Sequence, residues 1–115
     1  MQSPRELNNQ AFDLIVTIVN RGAAEDVIDA AREGGAEGAT VVLGRGSGIH
    51  EKGTFLGIPI EPAKDLVLIV TPEEKTDRIL ESIQHKVELD KPGHGIGFVI
   101  PLKKVVGIAH LGRTS

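Results

Sequence analysis

The pattern of apolar and polar residues divides the chain into alternating short strands and amphipathic helices. The run Leu14–Val19 is short, β-branched and almost wholly apolar, which predicts a strand. Between Ala23 and Glu33, apolar residues recur at positions i, i+3, i+4 and i+7, the spacing of one helical stripe. A second apolar run at 39–43 completes a strand–helix–strand unit. Residues 1–11 are polar and without a period, which predicts a flexible N-terminal arm.

The second half of the sequence repeats this order. The run Asp65–Val70 predicts a strand, and the segment Thr71–Glu74 predicts the start of a helix. Thr71 is expected to cap that helix, Pro72 to lie in its first turn and Glu74 to close a capping box. Further strands are predicted at 97–100 and, briefly, at 105–109. The β-α-β-β-α-β order predicts an α+β, ferredoxin-like sandwich over residues 12–115, with an antiparallel sheet and both helices on one face.

The predicted strands are apolar on both of their faces. In the first strand Leu14, Val16 and Ile18 point one way, whereas Ile15 and Val19 point the other. Two helices cover only one face of such a sheet, so the second face needs another cover. We expect further copies of the chain to supply it. The alternative is that the C-terminal segment folds across this face.

Composition narrows the classes of function. The 115 residues fit a single domain, and 13 basic against 16 acidic residues, with three phenylalanines as the only aromatics, disfavour nucleic-acid binding. The absence of cysteine excludes disulfides and thiolate chemistry. No N-terminal apolar region of the signal-peptide type is present, and no apolar run approaches the roughly 20 residues that span a bilayer. These features predict a cytoplasmic protein without direct membrane insertion.

Two glycine-dense stretches are the candidate ligand-binding segments. The run Gly44–Gly48 follows the second predicted strand, and the run Pro92–Gly97 precedes the fourth. Glycine lets backbone N–H groups converge on an anion and lets a ligand approach the main chain. Neither run has the spacing of a dinucleotide-binding or P-loop fingerprint, so the alternative that both are only turns stays open.

The segment 48–64 between the halves is far longer than the two to about five residues that a hairpin connection needs. Phe55 and Leu56 within it would suit a docking surface for a partner protein. Alternatively, Phe55 folds back as a lid over the core.

Metal binding and catalysis have little support in the sequence. The four histidines, His50, His85, His94 and His110, lie in different predicted elements without metal-ligand spacing. No nucleophile has a nearby base in sequence, and the carboxylates are scattered over helix surfaces. We therefore expect neither a metal site nor an enzyme. The remaining catalytic alternative is a general base at His94 or His50.

Taken together, these segments resemble the PII signal-transduction family, the trimeric nitrogen-regulatory proteins. The resemblance covers roughly residues 12–110 and begins with the run Gly38–Val42 leading into Gly46-Ser47-Gly48. The run Pro92–Val99 looks like the family's B-loop entering its last long strand, and Val105–Ile108 looks like its closing strand. The resemblance implies a homotrimer whose sheets pack around a central axis, which would cover the second apolar face.

The resemblance also implies a regulatory function. Family members sense an adenine nucleotide (ATP, ADP or AMP) in clefts between subunits and regulate a partner transporter or enzyme in nitrogen metabolism. Their T-loop, which docks on the partner, corresponds to segment 48–64, with His50, Lys52, Phe55, Leu56 and Lys64 as its effector and partner residues; Lys64 matches a lysine that helps to hold 2-oxoglutarate. The implied nucleotide-binding residues are Thr40, Arg45, Gly46, Ser47, Gly48, Val70, Gly93, His94 and Gly95. Thr40, Gly46, Gly48 and Val70 are expected on one side of the cleft, and Gly93 and Gly95 on the other.

The sequence departs from the family pattern at the phosphate ligands. The family's B-loop lysine and its two C-terminal arginines fall at Ile96, Gly107 and Ala109, and its Mg²⁺-contacting glutamine falls near His50. Arg45 and Lys52 are the candidate replacement cations. The chain has no tyrosine, so uridylylation of a T-loop tyrosine is excluded. The alternatives are a ligand without phosphates or a trimeric interaction module that senses nothing. For a sensor, Gly46→Val or Gly95→Val is expected to abolish binding and leave the oligomer intact.

Overall fold

Two β-α-β halves follow each other along the chain, as the hydrophobic pattern predicts. The structure is a computed structural model that describes residues 10–48, 54–56, 58–59 and 61–107. Its elements are β1 (Phe12–Asn20), α1 (Ala24–Glu33), β2 (Thr40–Arg45), β3 (Thr54–Phe55), β4 (Ile58–Pro59), β5 (Ala63–Pro72), α2 (Glu73–Val87) and β6 (Gly95–Leu102).

Four of these strands form one antiparallel sheet in the order β2-β5-β1-β6. The central strand β1 pairs with β5 and β6 along almost its whole length, so that Ile15 lies opposite Ile69 on one side and Val99 on the other. The short strands β3 and β4 pair with each other in a separate hairpin inside segment 48–64. This topology confirms the predicted α+β, ferredoxin-like fold.

Both helices pack on the same face of the sheet. The core between them consists of fully buried aliphatic side chains from β1, β5 and the two helices: Ile15, Val19, Val67, Ile69, Val27, Ile79 and Ile83. The helices approach each other closely at Gly34, where a Cβ atom would lie 2.7 Å from the Cα of Ile79. Only glycine allows backbones to come this near, so Gly34 sets the distance between α1 and α2.

The opposite face of the sheet, which we term the outer apolar face, is left open by the single chain. Its members alternate with the core residues along each strand: Leu14, Val16, Ile18, Val42, Leu66, Leu68, Val70, Ile96, Phe98 and Ile100. On β6, the residues Ile96, Phe98 and Ile100 are 56%, 39% and 43% exposed. The prediction that both faces are apolar and that the helices cover only one of them is therefore confirmed.

The predicted start of the second helix is wrong. Strand β5 continues through Thr71 and Pro72, which pair with Asp13 and Phe12 of β1. Pro72 occupies the N-cap position, no side chain caps α2, and the Thr71 hydroxyl donates to the Pro72 carbonyl oxygen. Long-range pairing with β1 thus outweighs the local capping signal. Glu74 accepts hydrogen bonds from Gln10 at 2.9 Å instead of closing a capping box.

Two further predictions concern the ends of the chain. Residues 105–107 do not form a strand, so the predicted fifth strand is wrong for this part, and residues 108–109 lie outside the described residues. Residues 1–9 of the predicted arm also lie outside them.

The helices are short. Within the described part of the chain, α1 has 10 residues and α2 has 15, and no helix is long and apolar enough to cross a membrane.

A buried hydroxyl in the core supplies a test of this packing. In the part of the chain that the structure describes, Thr17 Oγ1 is the buried side-chain polar atom without a hydrogen-bond partner. Thr17→Val replaces it with a methyl group of similar shape, and we expect the free energy of unfolding to rise by about 1 kcal/mol. Urea denaturation at a fixed protein concentration measures this change.

Thr76 provides the matched control for this substitution. It is also buried, but its hydroxyl donates to Asp13 Oδ2 at 2.7 Å. Thr76→Val leaves that buried carboxylate without its donor, so we expect it to lower the free energy of unfolding. A midpoint that falls equally in both variants would show that Thr17 has a partner in solution.

Candidate functional site

The two glycine-rich loops meet at one end of the sheet, on the outer apolar face. They border a cleft of about 520 Å³, which we term the glycine cleft. All four strands of the sheet, or the loops that adjoin them, contribute to its lining, which consists of Ile18, Gly44, Arg45, Gly46, Ser47, Gly48, Lys64, Leu66, Gly93, Gly95 and Ile96. Both loops thus line the same cleft within one chain, and their role as a ligand site stays a prediction.

Strand pairing brings these distant segments together. Gly44 lies opposite Lys64, Lys64 lies opposite Asn20, and Gly95 lies opposite Val19. The end of β2 and the start of β6 therefore lie at the same end of the sheet, with β5 and β1 between them. The strand register therefore determines which residues line the glycine cleft.

The glycines of the cleft differ in what a side chain would meet. A Cβ atom at Gly95 would lie 2.4 Å from the carbonyl oxygen of Ile18, and the φ angle of Gly95 is 137°, in the left-handed region. A Cβ atom at Gly46 would meet nothing within 4 Å, and Gly46 does not have a positive φ. A side chain at Gly46, a lining residue of the cleft, would enter open space, whereas one at Gly95 would strike the backbone of β1.

Cations and backbone amides give the cleft an anion-binding character. Arg45 and Lys64 are the two basic residues that line it among the described residues. Lys64 is only 7% exposed, and its Nζ donates to Asn20 Oδ1 at 2.7 Å. Asn20 in turn donates from Nδ2 to the Gly93 carbonyl oxygen at 3.0 Å. Two positive charges beside glycine-rich backbone favour a negatively charged ligand.

Asp65, the next residue along β5, holds the turn between β1 and α1 on the other face of the sheet. Asp65 is buried, and its Oδ2 accepts hydrogen bonds from the backbone N–H groups of Gly22 at 2.9 Å and Ala24 at 3.4 Å. Its Oδ1 lies 3.7 Å from the Arg21 Nε. Asp65 therefore receives one N–H group from the turn before α1 and the N–H group of the first residue of α1, where a carboxylate is favoured by the helix dipole.

His94 does not line the glycine cleft, although it lies between two glycines that do. Its Nδ1 lies 3.0 Å from the carbonyl oxygen of Val87, at the end of α2. Because a carbonyl oxygen only accepts hydrogen bonds, Nδ1 must carry the proton in this contact. The imidazole thus hydrogen-bonds to the backbone at the end of α2.

An ion pair follows the end of α2. The hydrogen bond from Lys91 and its charge lower the pKa of Glu88, and the pKa of Lys91 is raised in return.

Thr40 and Val70 lie at the other end of the sheet. They line a second cleft of about 390 Å³ with Leu14, Glu37, Gly38, Ala39 and Leu68. Thr40 and Arg45 are five residues apart on β2, which corresponds to about 17 Å along a strand. Within one chain, Gly46 and Gly48 are therefore grouped with Gly93 and Gly95, and not with Thr40 and Val70 as the family resemblance led us to expect.

The residues expected to contact effector and partner are only partly described. His50 and Lys52, and the side chain of Phe55, lie outside the described residues. Leu56 lies at the tip of the β3–β4 hairpin, is 86% exposed and has a φ angle of 52°, which is rare for a bulky residue. In the ranges that the structure describes, no three histidine, aspartate or glutamate side chains come together as a metal site.

Sequence reasoning did not single out Asn20, which contacts Lys64 and Gly93 of the cleft lining, nor the lining residues Ile18 and Leu66. The sequence Asn20-Arg21-Gly22 predicts only a turn. Its role depends on which residues of β5 and of the second glycine loop lie beside it, and only the register of the sheet supplies that information.

Comparison with known proteins agrees with this architecture. The family model described as "Nitrogen regulatory protein P-II" matches residues 12–111. Among solved structures, the crystal structure of Arabidopsis thaliana PII bound to citrate is similar, with a TM-score of 0.67 and 23% sequence identity over 88% of this chain and 86% of that chain. A search of curated proteins found no match. Because the family match extends over most of the sequence, the chain belongs to the nitrogen regulatory protein P-II family.

Proposed function

We propose that the chain is the subunit of a homotrimeric regulator that binds an adenine nucleotide in its glycine cleft and controls a partner transporter or enzyme through segment 48–64. The observation that carries this proposal is the meeting of both glycine loops with Arg45 and Lys64 in one cleft. Membership of the P-II family supports a regulator in place of an enzyme. A cytoplasmic location, predicted from the sequence, is part of the proposal.

The outer apolar face supports the homotrimer. A contiguous apolar sheet face of this kind is normally covered by protein in the functional assembly. The separation of Thr40 and Val70 from the glycine loops points the same way, since one ligand could contact both sets only if the second cleft of one copy faced the glycine cleft of another. Each nucleotide would then lie between two subunits, as the family resemblance implies.

The lining of the glycine cleft supports an anion with an apolar part. Backbone amides, Arg45 and Lys64 suit the phosphate end of a nucleotide, and Ile18, Leu66 and Ile96 provide an apolar wall. Ile96 and Gly107 stand where family members carry a phosphate-binding lysine and arginine. This loss favours the less charged nucleotides AMP and ADP over ATP, because each missing cation removes charge-assisted hydrogen bonds to phosphate.

The β3–β4 hairpin supports a docking role for segment 48–64. It places the exposed Leu56 at its tip, in a left-handed backbone conformation. Strained and exposed apolar residues on loops are frequent at contact sites. Lys64 joins this segment to the glycine cleft, so that a ligand in the cleft is in contact with the base of the loop.

Thermal unfolding with and without nucleotide tests the ligand site. We expect AMP, ADP or ATP to raise the Tm of the wild-type protein, since a ligand at 100 times its Kd stabilises the folded state by about 2.7 kcal/mol. Gly46→Val should remove this shift and keep the ligand-free Tm, because its side chain fills open space in the cleft. The matched control is Ala63→Val, an exposed position at the same end of the sheet that does not line the cleft.

Three outcomes of this experiment would each contradict a different part of the proposal. A Gly46→Val protein that keeps the full nucleotide shift would place the ligand elsewhere on the chain. If none of the three nucleotides raises the wild-type Tm, the nucleotide assignment is wrong. The test then extends to 2-oxoglutarate and to citrate, the ligand in the similar plant protein. No shift with any of them would contradict a sensor and leave an interaction module that senses nothing.

A further inference from the structure

The side chain of Asn20 connects the two halves of the glycine cleft. Its Oδ1 accepts a hydrogen bond from the Lys64 ammonium at 2.7 Å, and its Nδ2 donates to the Gly93 carbonyl oxygen at 3.0 Å. Lys64 is the second residue of β5, where segment 48–64 ends, and Gly93 belongs to the second glycine loop. One amide thus contacts the base of the proposed partner loop and the loop on the far side of the cleft.

The amide makes both contacts, which neither side chain of similar shape can do at this position. Aspartate has the same shape and would accept from Lys64, but it has no donor for the Gly93 carbonyl oxygen. Leucine has a similar size and can do neither. Asn20 therefore contributes to the orientation of the Lys64 ammonium and of the Gly93 peptide in the wall of the cleft.

The β1–α1 turn does not depend on the Asn20 side chain. Asp65 holds Gly22 and Ala24 by their backbone N–H groups, and the Arg21 N–H donates to the Ala63 carbonyl oxygen at 3.3 Å. The backbone of Asn20 is further held by its pairing with Lys64 in the sheet. Loss of the side-chain amide should consequently remove one hydrogen bond from Lys64 and one from Gly93 while the turn and strand stay in place.

We propose that Asn20 is a positioning residue that couples the end of segment 48–64 to the second glycine loop. An anion bound at one of these two segments then changes the hydrogen bonds that Asn20 makes to the other. The inference deepens the proposed function and rests on it for the presence of a ligand. A ligand anion competes for the ammonium protons of Lys64, and a change in the Lys64–Asn20 hydrogen bond reorients the amide that holds Gly93. The regulatory consequence is that ligand binding in the cleft changes the hydrogen bonding of Lys64, at the point where segment 48–64 joins the sheet.

A ligand-free double-mutant cycle tests the coupling itself. The readout is the NMR signal of the Gly93 carbonyl carbon and of the following His94 amide, in isotope-labelled full-length protein. Lys64→Met is expected to shift these signals in the wild-type background and to have no further effect in an Asn20→Leu background. The same shift in both backgrounds would overturn the proposal, because the influence of Lys64 would then reach Gly93 by another route.

Nucleotide titration tests the consequence for binding. With AMP, ADP and ATP as probes, Asn20→Asp should raise the Kd of the nucleotide that binds wild-type protein by about tenfold or more, because it adds negative charge beside Lys64 and loses the hydrogen bond to Gly93. Gln84→Glu makes the same chemical change on the exposed side of α2 and should leave the Kd unchanged. An unchanged Kd in Asn20→Asp would overturn the positioning role. If no nucleotide binds wild-type protein, the proposed function fails, and the ligand-free cycle still decides the coupling.

Discussion

Gly95→Val is expected to destabilise the fold of the chain and not only to alter its proposed ligand cleft. The Cβ atom would lie 2.4 Å from the Ile18 carbonyl oxygen and 3.1 Å from the Val19 Cγ1, and the φ angle of 137° is strained for any residue with a side chain. Gly95 pairs with Val19, so the backbone of β6 cannot retreat without breaking the sheet. We expect the free energy of unfolding to fall by about 3 kcal/mol or more.

Urea denaturation followed by circular dichroism measures this loss. Gly46→Val serves as the control, because it adds the same side chain to the other glycine loop in open space. Its midpoint should stay near that of the wild-type protein. A wild-type midpoint for Gly95→Val would mean that the second glycine loop can move away from β1. The structure therefore changes the expectation drawn from the sequence, in which both substitutions acted on binding alone.

Phe98→Glu is expected to abolish the proposed homotrimer. Phe98 lies on the outer apolar face opposite Val16, and it is 39% exposed in the single chain. Packing of further copies on this face would bury a charged carboxylate without a partner, at a cost of several kcal/mol in each subunit. Native mass spectrometry at a fixed protein concentration should show a trimer for the wild-type protein and a monomer for the variant.

Phe98→Leu is the matched control for the assembly, because it keeps the position apolar and should keep the trimer mass. If Phe98→Glu is also trimeric, the outer apolar face is not the contact between subunits. If the wild-type protein is a monomer, something other than a second copy covers this face, and the inter-subunit part of the proposed function is wrong.

The sequence predicts the fold well because local and long-range preferences agree over most of the chain. The β-branched runs around Ile15 and Ile69 and the helical stripes that include Val27 and Ile79 are unambiguous, and both helices form where they are predicted. The exception is the start of α2. Thr71 and Pro72 have the composition of a helix start, yet they pair with β1, because the last residues of β5 gain more from the sheet than from a cap.

The composition of the site is predictable from the sequence, but its grouping is not. Two glycine-rich loops at matching places in two halves suggest a ligand site, and the family resemblance implies Lys64, the last residue of segment 48–64. The distance between Thr40 and Gly46, the turn of His94 toward Val87 and the two contacts of Asn20 all depend on strand register. No periodicity within a single segment carries that information.

The arrangement of the glycine cleft across all four strands has a consequence for local stability. The edge strands β2 and β6 lie on opposite sides of the central pair, and edge strands are where a sheet opens first. A ligand in the cleft would contact the end of β2 and the start of β6 at once. Its binding energy would therefore mainly oppose the local opening of the two edge strands. Both edges would then open and close as one cooperative unit. Segment 48–64 leaves from one of these edges, so the conformational freedom of the proposed partner loop would be set by how firmly that edge is closed.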